Sequence, residues 1–308
     1  MNPASSVTCC HAQRHGDVSS AISPNRVQDH APSGTRRTRA VLAGFPVILL
    51  LAAAAFEGLR LPMLVLLLLG FLASLWRARS GTAAHASERF AYAAALLVVL
   101  GMAWSGVELT ASARDGSTCA DLLAPFAVYR ATGAALVLAA VAVAVWLLGS
   151  TAAEIGLRRV SRRELGLAVG VLGAVGFAAT FIGPAVAEPF FGPLPVALGN
   201  AAALVPALVF AVANALMEET VFRGALLHWV MRWRGPLVAM AVQAAAFGLA
   251  HGVGGDFAGS PLPVMAATAA AGLALGAITL RTGSLLLPVA LHAALDIPIY
   301  YANACLQN

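Results

Sequence analysis

Charge is scarce in this chain. Only 11% of its 308 residues are Asp, Glu, Lys or Arg, and Lys is absent altogether. An ordinary soluble domain carries about 25% charged residues, so a water-soluble globule is excluded. A sequence that is 60% hydrophobic cannot remain a solvated, disordered chain either. Cysteine is also scarce. Cys9, Cys10, Cys119 and Cys305 form no CxxC or zinc-type cluster, which removes a disulfide scaffold and a structural zinc site. Residues 1–39 contain no apolar run; they lack the hydrophobic stretch of a signal peptide and read as a disordered cytoplasmic tail. The 19 basic residues are all Arg and face 14 acids. That bias is genomic in character, so the formal +5 does not imply a nucleic-acid partner.

What is present is apolar sequence in long blocks, with a mean hydropathy of +0.82. The blocks lie at roughly 40–56, 61–76, 90–112, 126–148, 165–187, 196–231, 237–254, 263–280 and 284–304. They are too long for barrel strands and show no alternation, so the expected fold is all-α, a polytopic transmembrane bundle of about nine spans. Since a span takes about 20 residues, the second block is short and the sixth over-long. Cytoplasmic loops accumulate Arg. Arg36, Arg37 and Arg39 precede the first block, Arg77, Arg79 and Arg89 follow the second, and Arg158, Arg159, Arg162 and Arg163 follow the fourth. Arg232 and Arg234 follow the sixth and Arg281 the eighth. This alternation fits nine spans in a bacterial inner membrane, with the N-terminus cytoplasmic and the C-terminus outside. Cys119 and Cys305 then share the outer side. Gly272 and Gly276, four apart, mark close helix packing.

An ionisable residue at the bilayer centre costs at least about 2.5 kcal/mol on insertion scales, so each one needs a reason. They concentrate in three late blocks: Glu218, Glu219, Arg223 and His228 in the sixth, His251 in the seventh, and His292 with Asp296 in the ninth. Counting from the cytoplasmic ends at 1.5 Å per residue places Glu218 and His251 each about 21 Å deep, His292 about 12 Å and Asp296 about 18 Å. Three helices thus deliver acids and imidazoles to one layer. Glu219 and Arg223, four apart, suit a helical ion pair. Glu218, about 100° further round the helix, is then left without a partner on its own helix, and a buried carboxylate so placed suits a general base. Asp296, four after His292, is placed to orient that imidazole. His251 finds no side-chain partner at the same offset, where Gly255 stands. His228, near Trp229 and Trp233, reads as interfacial, Asp256 as solvated, and Glu57, Glu108 and Arg130 as snorkelling near span ends. Bland readings exist for each group: Glu219 with Arg223 as a structural ion pair, and a lone membrane His as a packing residue.

These residues resemble a known family. Glu218-Glu219-Thr220-Val221-Phe222-Arg223 is similar to an EExxxR element, and Phe247 to His251 to an FxxxH element. Gly272 to Gly276, then Arg281 to Leu285, Pro288, His292 and Asp296 resemble a third region ending in HxxxN or HxxxD. This is the order of the CPBP superfamily of intramembrane proteases, also called Abi or CAAX prenyl protease 2, Rce1-like. The resemblance divides the chain into the 1–39 tail, N-terminal transmembrane helices of unassigned role at 40–164, and a protease domain at 165–308. It implies peptide-bond hydrolysis in the bilayer. Glu218 would activate water, His251 would help position it, and His292 with Asp296 would stabilise the oxyanion, supported by Glu219, Arg223 and Phe247. Gly255 stands where many relatives carry Asn, and Asp296 where prenyl-protein proteases commonly have Asn, so Asp296 is assigned to orienting His292.

No cofactor is expected. Zinc is the alternative, with Glu218, His251 and His292 as ligands, although HExxH is absent. The expected partners are the lipid bilayer and a membrane-anchored protein or peptide substrate. Other readings of the same residues are a non-catalytic immunity or scaffold protein and a proton-coupled transporter. The last would show inverted repeats with broken helices in both halves, whereas the ionisable residues here cluster in one half.

Overall fold

The computed structural model describes residues 33–79, 88–112, 119–191, 204–252 and 260–305. The described residues form helices and turns, with no strand among them. The helices are α1 (Ser33–Ala55), α2 (Arg60–Arg79), α3 (Glu88–Ser112), α4 (Cys119–Leu148) and α5 (Arg162–Phe191). A composite α6 follows: an α-helix over Leu204–Glu219, a π-helical turn over Thr220–Leu226, and a final α-helix over Leu227–Arg234. Helices α7 (Pro236–His251), α8 (Leu262–Thr282) and α9 (Leu286–Cys305) complete the set. Each apolar block of the sequence is a helix over its described residues, and the sixth contains the π turn. Residues 1–32, Gly255, Asp256 and the side chains of Glu108, Cys119 and Cys305 lie outside the described residues.

Five segments are long and apolar enough to cross a membrane: Glu57–Arg79, Ala127–Leu148, Arg162–Gly183, Leu204–Arg232 and Leu262–Thr282. Gly44–Ala55, Pro236–His251 and Leu286–Pro298 are apolar but shorter. The second block reaches spanning length because α2 runs 20 residues, from Arg60 to Arg79, and a 3-10 turn, Glu57–Leu59, leads into it. The outward faces carry Leu68, Leu69, Leu72 and Trp76 on α2, Val143 and Trp146 on α4, and Leu167, Phe177 and Phe181 on α5. So much exposed hydrocarbon is a liability in water and matches the acyl chains of a bilayer. The chain is a helical membrane protein.

Hydrocarbon against hydrocarbon gives little drive for helices to associate in lipid, so close approach and polar contacts decide the packing. α2 packs on α3, α3 on α4 and on the π turn, α4 on α6, α6 on α7 and α9, α7 on α8, and α5 on α9. The glycine pair does what its spacing predicts. A Cβ at Gly276 would lie 2.8 Å from Met240 Sδ, and one at Gly272 3.2 Å from Ala244 Cα, so α7 lies directly on the stripe. Gly248 makes the reciprocal approach, where a Cβ would fall 2.6 Å from the Met265 carbonyl oxygen.

Side-chain and backbone contacts gather the Arg-rich turns at one end of the bundle. Arg77 bridges to Glu88 at 3.7 Å, and Phe90 meets Trp229 edge-on at 5.9 Å. Arg232 bridges to Glu154 at 2.7 Å and lies 4.9 Å from the Phe90 ring. The Leu285 amide donates to the Gly156 carbonyl at 3.1 Å, and Arg158 donates to the Thr282 carbonyl at 3.4 Å. The alternation of Arg along the sequence thus has a spatial counterpart. Glu154 caps its own 3-10 turn, Ala152–Ile155; the Ser150 hydroxyl, the Thr151 amide and Arg232 hold its carboxyl at about 2. At the other end Arg60 is buried and donates to the Met102 carbonyl at 3.2 Å, tying α2 to α3.

A Gly248→Ala substitution forces Met265 backbone to move. It should lower the unfolding temperature in detergent, at a cost of about 1–3 kcal/mol. Gly173→Ala, placed where a Cβ meets nothing within 4 Å, should leave that temperature unchanged.

Candidate active site

The site is built around Glu219. Its Oε1 accepts hydrogen bonds from Arg223 Nη1 at 2.9 Å, one turn along α6, and from His292 Nδ1 at 2.7 Å, across on α9. Glu219 and Arg223 are both 0% exposed. The helical ion pair is the one the spacing predicts. The Arg223 guanidinium rests 4.0 Å from the Phe247 ring centroid, a desolvated cation–π contact of about 2 kcal/mol. Phe247 also meets Phe222 at 5.1 Å, His292 at 5.9 Å and His251 at 4.4 Å. The aromatic residue of the second motif is therefore the plate on which the other side chains are arranged.

Glu218 does not face away from its neighbour. Adjacent helical residues diverge by about 100°, yet both glutamates reach His292: Glu219 at Nδ1, and Glu218 Oε2 at 3.7 Å from Nε2. The imidazole lies between them, one nitrogen towards each. Glu218 Oε2 is buried and has no hydrogen-bond partner. It sits at the middle of its span, 14 residues from either end of Leu204–Arg232.

Two orienting contacts differ from expectation. His292 and Asp296 approach to 3.6 Å, between Nε2 and Oδ1, too far for a hydrogen bond; Glu219, not Asp296, holds the imidazole. Asp296 Oδ2 instead accepts from Asn214 Nδ2 at 2.9 Å. His251, left without a side-chain partner by its spacing, directs Nδ1 to the Phe247 carbonyl at 2.8 Å. That contact fixes the proton on Nδ1 and leaves Nε2 as the acceptor of the neutral ring. His251 lies within electrostatic reach of Glu218.

Three further residues were not assigned to the site by sequence. Asn214 is 7% exposed and stands four residues before Glu218, on the same helix face. His228, read as interfacial, directs Nδ1 to the carbonyls of Arg223 at 2.8 Å and Gly224 at 3.0 Å, bracing the π turn that follows Glu219. Arg130 on α4, read as snorkelling, places its guanidinium 5.1 Å from the Phe210 ring and within electrostatic reach of Glu218 and Asp296. Each left the same local signal, a polar side chain inside an apolar run.

A metal would need converging ligands. Among the described residues no group of three or more His, Cys, Asp or Glu side chains is arranged to hold one. Glu218, His251 and His292 do not form such a group as they are placed.

This cluster falls inside the stretch that comparison with protein families picks out. Residues 200–298 match the family described as type II CAAX prenyl endopeptidase Rce1-like. The chain carries an Rce1-like region. It takes in about a third of the chain, from just before α6 into α9, and contains all three motifs. No curated protein and no solved structure matches the chain. Arg130 and the Thr151–Gly156 turn lie outside the Rce1-like region yet abut it: a Cβ on Gly224 would sit 3.0 Å from the Ile155 carbonyl oxygen.

Arg223→Met leaves Glu219 buried without its cation. It should destabilise the protein by about 3–5 kcal/mol, read as loss of folded material on detergent size-exclusion chromatography. Glu219→Gln with Arg223→Met should recover part of that loss.

Proposed function

We propose that the chain is an intramembrane endopeptidase that hydrolyses a peptide bond of a membrane-anchored protein or peptide. The observation that carries this reading is the buried, unpartnered oxygen of Glu218 beside two imidazoles. Glu218 takes a proton from water as the water oxygen bonds to the scissile carbonyl carbon. His251 Nε2 accepts a hydrogen bond from the second water O–H, whose proton stays on the oxygen, and so aims the lone pair. The carbonyl π electrons move onto oxygen, where His292, donating from Nε2 in its imidazolium form, stabilises the charge. Collapse breaks the C–N bond, and Glu218 returns its proton to the leaving amine. Glu219 holds His292 by Nδ1, and Arg223 with Phe247 holds Glu219. The step uses no metal. The Rce1-like match supports the reaction class, and the Arg-rich end of the bundle supports a bacterial inner-membrane protein with that end in the cytoplasm.

Glu218→Gln keeps shape and removes the base. Terminal-peptide profiling of membranes from cells making the wild-type chain should reveal new peptide ends that vanish with Glu218→Gln at equal protein level; identical profiles would favour a scaffold. Chelation should leave the cleavage intact, and restoration of lost cleavage by zinc alone would overturn the metal-free step. In a cysteine-free background, Arg159→Cys and Arg281→Cys should both react with an impermeant maleimide only after the membrane is opened.

A further inference from the structure

The mechanism above makes no use of Asn214. We propose that Asn214 is a further catalytic residue of this site, the amide donor that receives the carbonyl oxygen of the scissile bond as it becomes an oxyanion, with Asp296 as the residue that positions it. The inference rests on the hydrolytic reading and adds a donor to it.

Phe210, Asn214 and Glu218 follow one another at four-residue intervals, so they line one face of α6, successive members about 6 Å apart along the axis. The carboxamide is in place: Asn214 Nδ2 donates to Asp296 Oδ2 at 2.9 Å, and both residues are 7% exposed. Asp296 Oδ1 is 3.6 Å from His292 Nε2, which is 3.7 Å from Glu218 Oε2. The amide is thus linked through Asp296 to the imidazole nitrogen that faces the general base.

A forming oxyanion needs preorganised donors, and beside the His292 Nε2–H of the mechanism above this face offers few. Ionised Glu218, Glu219 and Asp296 only accept hydrogen bonds. Neutral His251 has placed its N–H on the Phe247 carbonyl and offers an acceptor. Arg223 gives Nη1 to Glu219 beneath Phe247 and turns Nη2 towards Gly272, and Arg130 is stacked on Phe210, a turn beyond Asn214. A primary amide has two N–H groups, and Asp296 takes one. Asn214 Oδ1 is buried without a partner; turning the amide over would set that oxygen against the Asp296 carboxylate, so Asp296 alone keeps the N–H edge towards the site. In the reaction the second N–H meets the carbonyl oxygen as the water oxygen bonds to carbon, and releases it when the C–N bond breaks.

The full chain in nanodiscs, with an internally quenched farnesylated CAAX peptide as probe, gives kcat and KM; thermal unfolding reports the pair independently. Asn214→Asp removes the donor and opposes two carboxylates. It should lower kcat about 10²–10³-fold with KM within about twofold, and lower the unfolding temperature. The exchange Asn214→Asp with Asp296→Asn rebuilds one amide and one carboxylate, and should regain about tenfold or more in kcat together with the unfolding temperature. Wild-type kcat for folded Asn214→Asp, or an exchange variant no faster than Asn214→Asp, overturns the assignment. Glu218→Gln keeps the two failures apart. If it is inactive while Asn214→Asp is not, only the donor falls; if it cleaves normally, the hydrolytic reading falls with it.

Discussion

One carboxylate oxygen, Glu219 Oε1, joins α6 to α9 by accepting from Arg223 and His292 together. In a protein whose helices gain little from hydrocarbon contact, a buried charge with two donors fixes a single arrangement. Separating the helices would strand an anion and a cation away from water, a loss of several kcal/mol. The rest of the site follows from that restraint. His292 is held by Nδ1, so Nε2 turns to Glu218 and Asp296; Arg223 is drawn over Phe247, so that ring lies where it touches both imidazoles.

The π turn immediately after Glu219 works with this junction. Its closing bond runs from the Leu227 amide to the Phe222 carbonyl, one residue longer than the α-helical bond, and it re-phases the end of α6. Buried Trp229 and bridging Arg232 can then meet α3 and the Thr151–Gly156 turn while Glu218 and Glu219 keep their hold on α9. The N-terminal helices consequently brace the helix that carries the candidate base, although the family resemblance does not extend to them.

Length and hydropathy made the helices readable, because each contains a long, mostly apolar run; Gly235 at φ 80° and Gly283 at φ 63° mark two of the stops. The ion pair of Glu219 with Arg223 was readable because it is local. His292 on Glu219 was not: the two are 73 residues apart, and Asp296 on the same helix offered a nearer partner. The separation of Glu218 from Glu219 was misjudged because helical phase fixes Cα directions, while two flexible glutamates can converge on opposite edges of one ring. His251 was left unpartnered because side-chain spacing ignores backbone carbonyls, and one of these, from Phe247, accepts its proton. Asn214 showed itself only as a polar residue among apolar ones; its partner Asp296 is 82 positions away.

Helix α5 is attached differently from the others. Its transmembrane window is only 11% buried, and it meets α9 through van der Waals contacts in which Gly176 faces Ala294 and Ile297, and Gly183 faces Pro298. Among the described residues no hydrogen bond or ion pair crosses that seam. Acyl chains replace such contacts at little cost, whereas parting α6 from α9 breaks a buried salt bridge network. Among the described residues, parting α5 from α9 thus breaks packing alone, and parting α6 from α9 breaks packing and a buried ion pair.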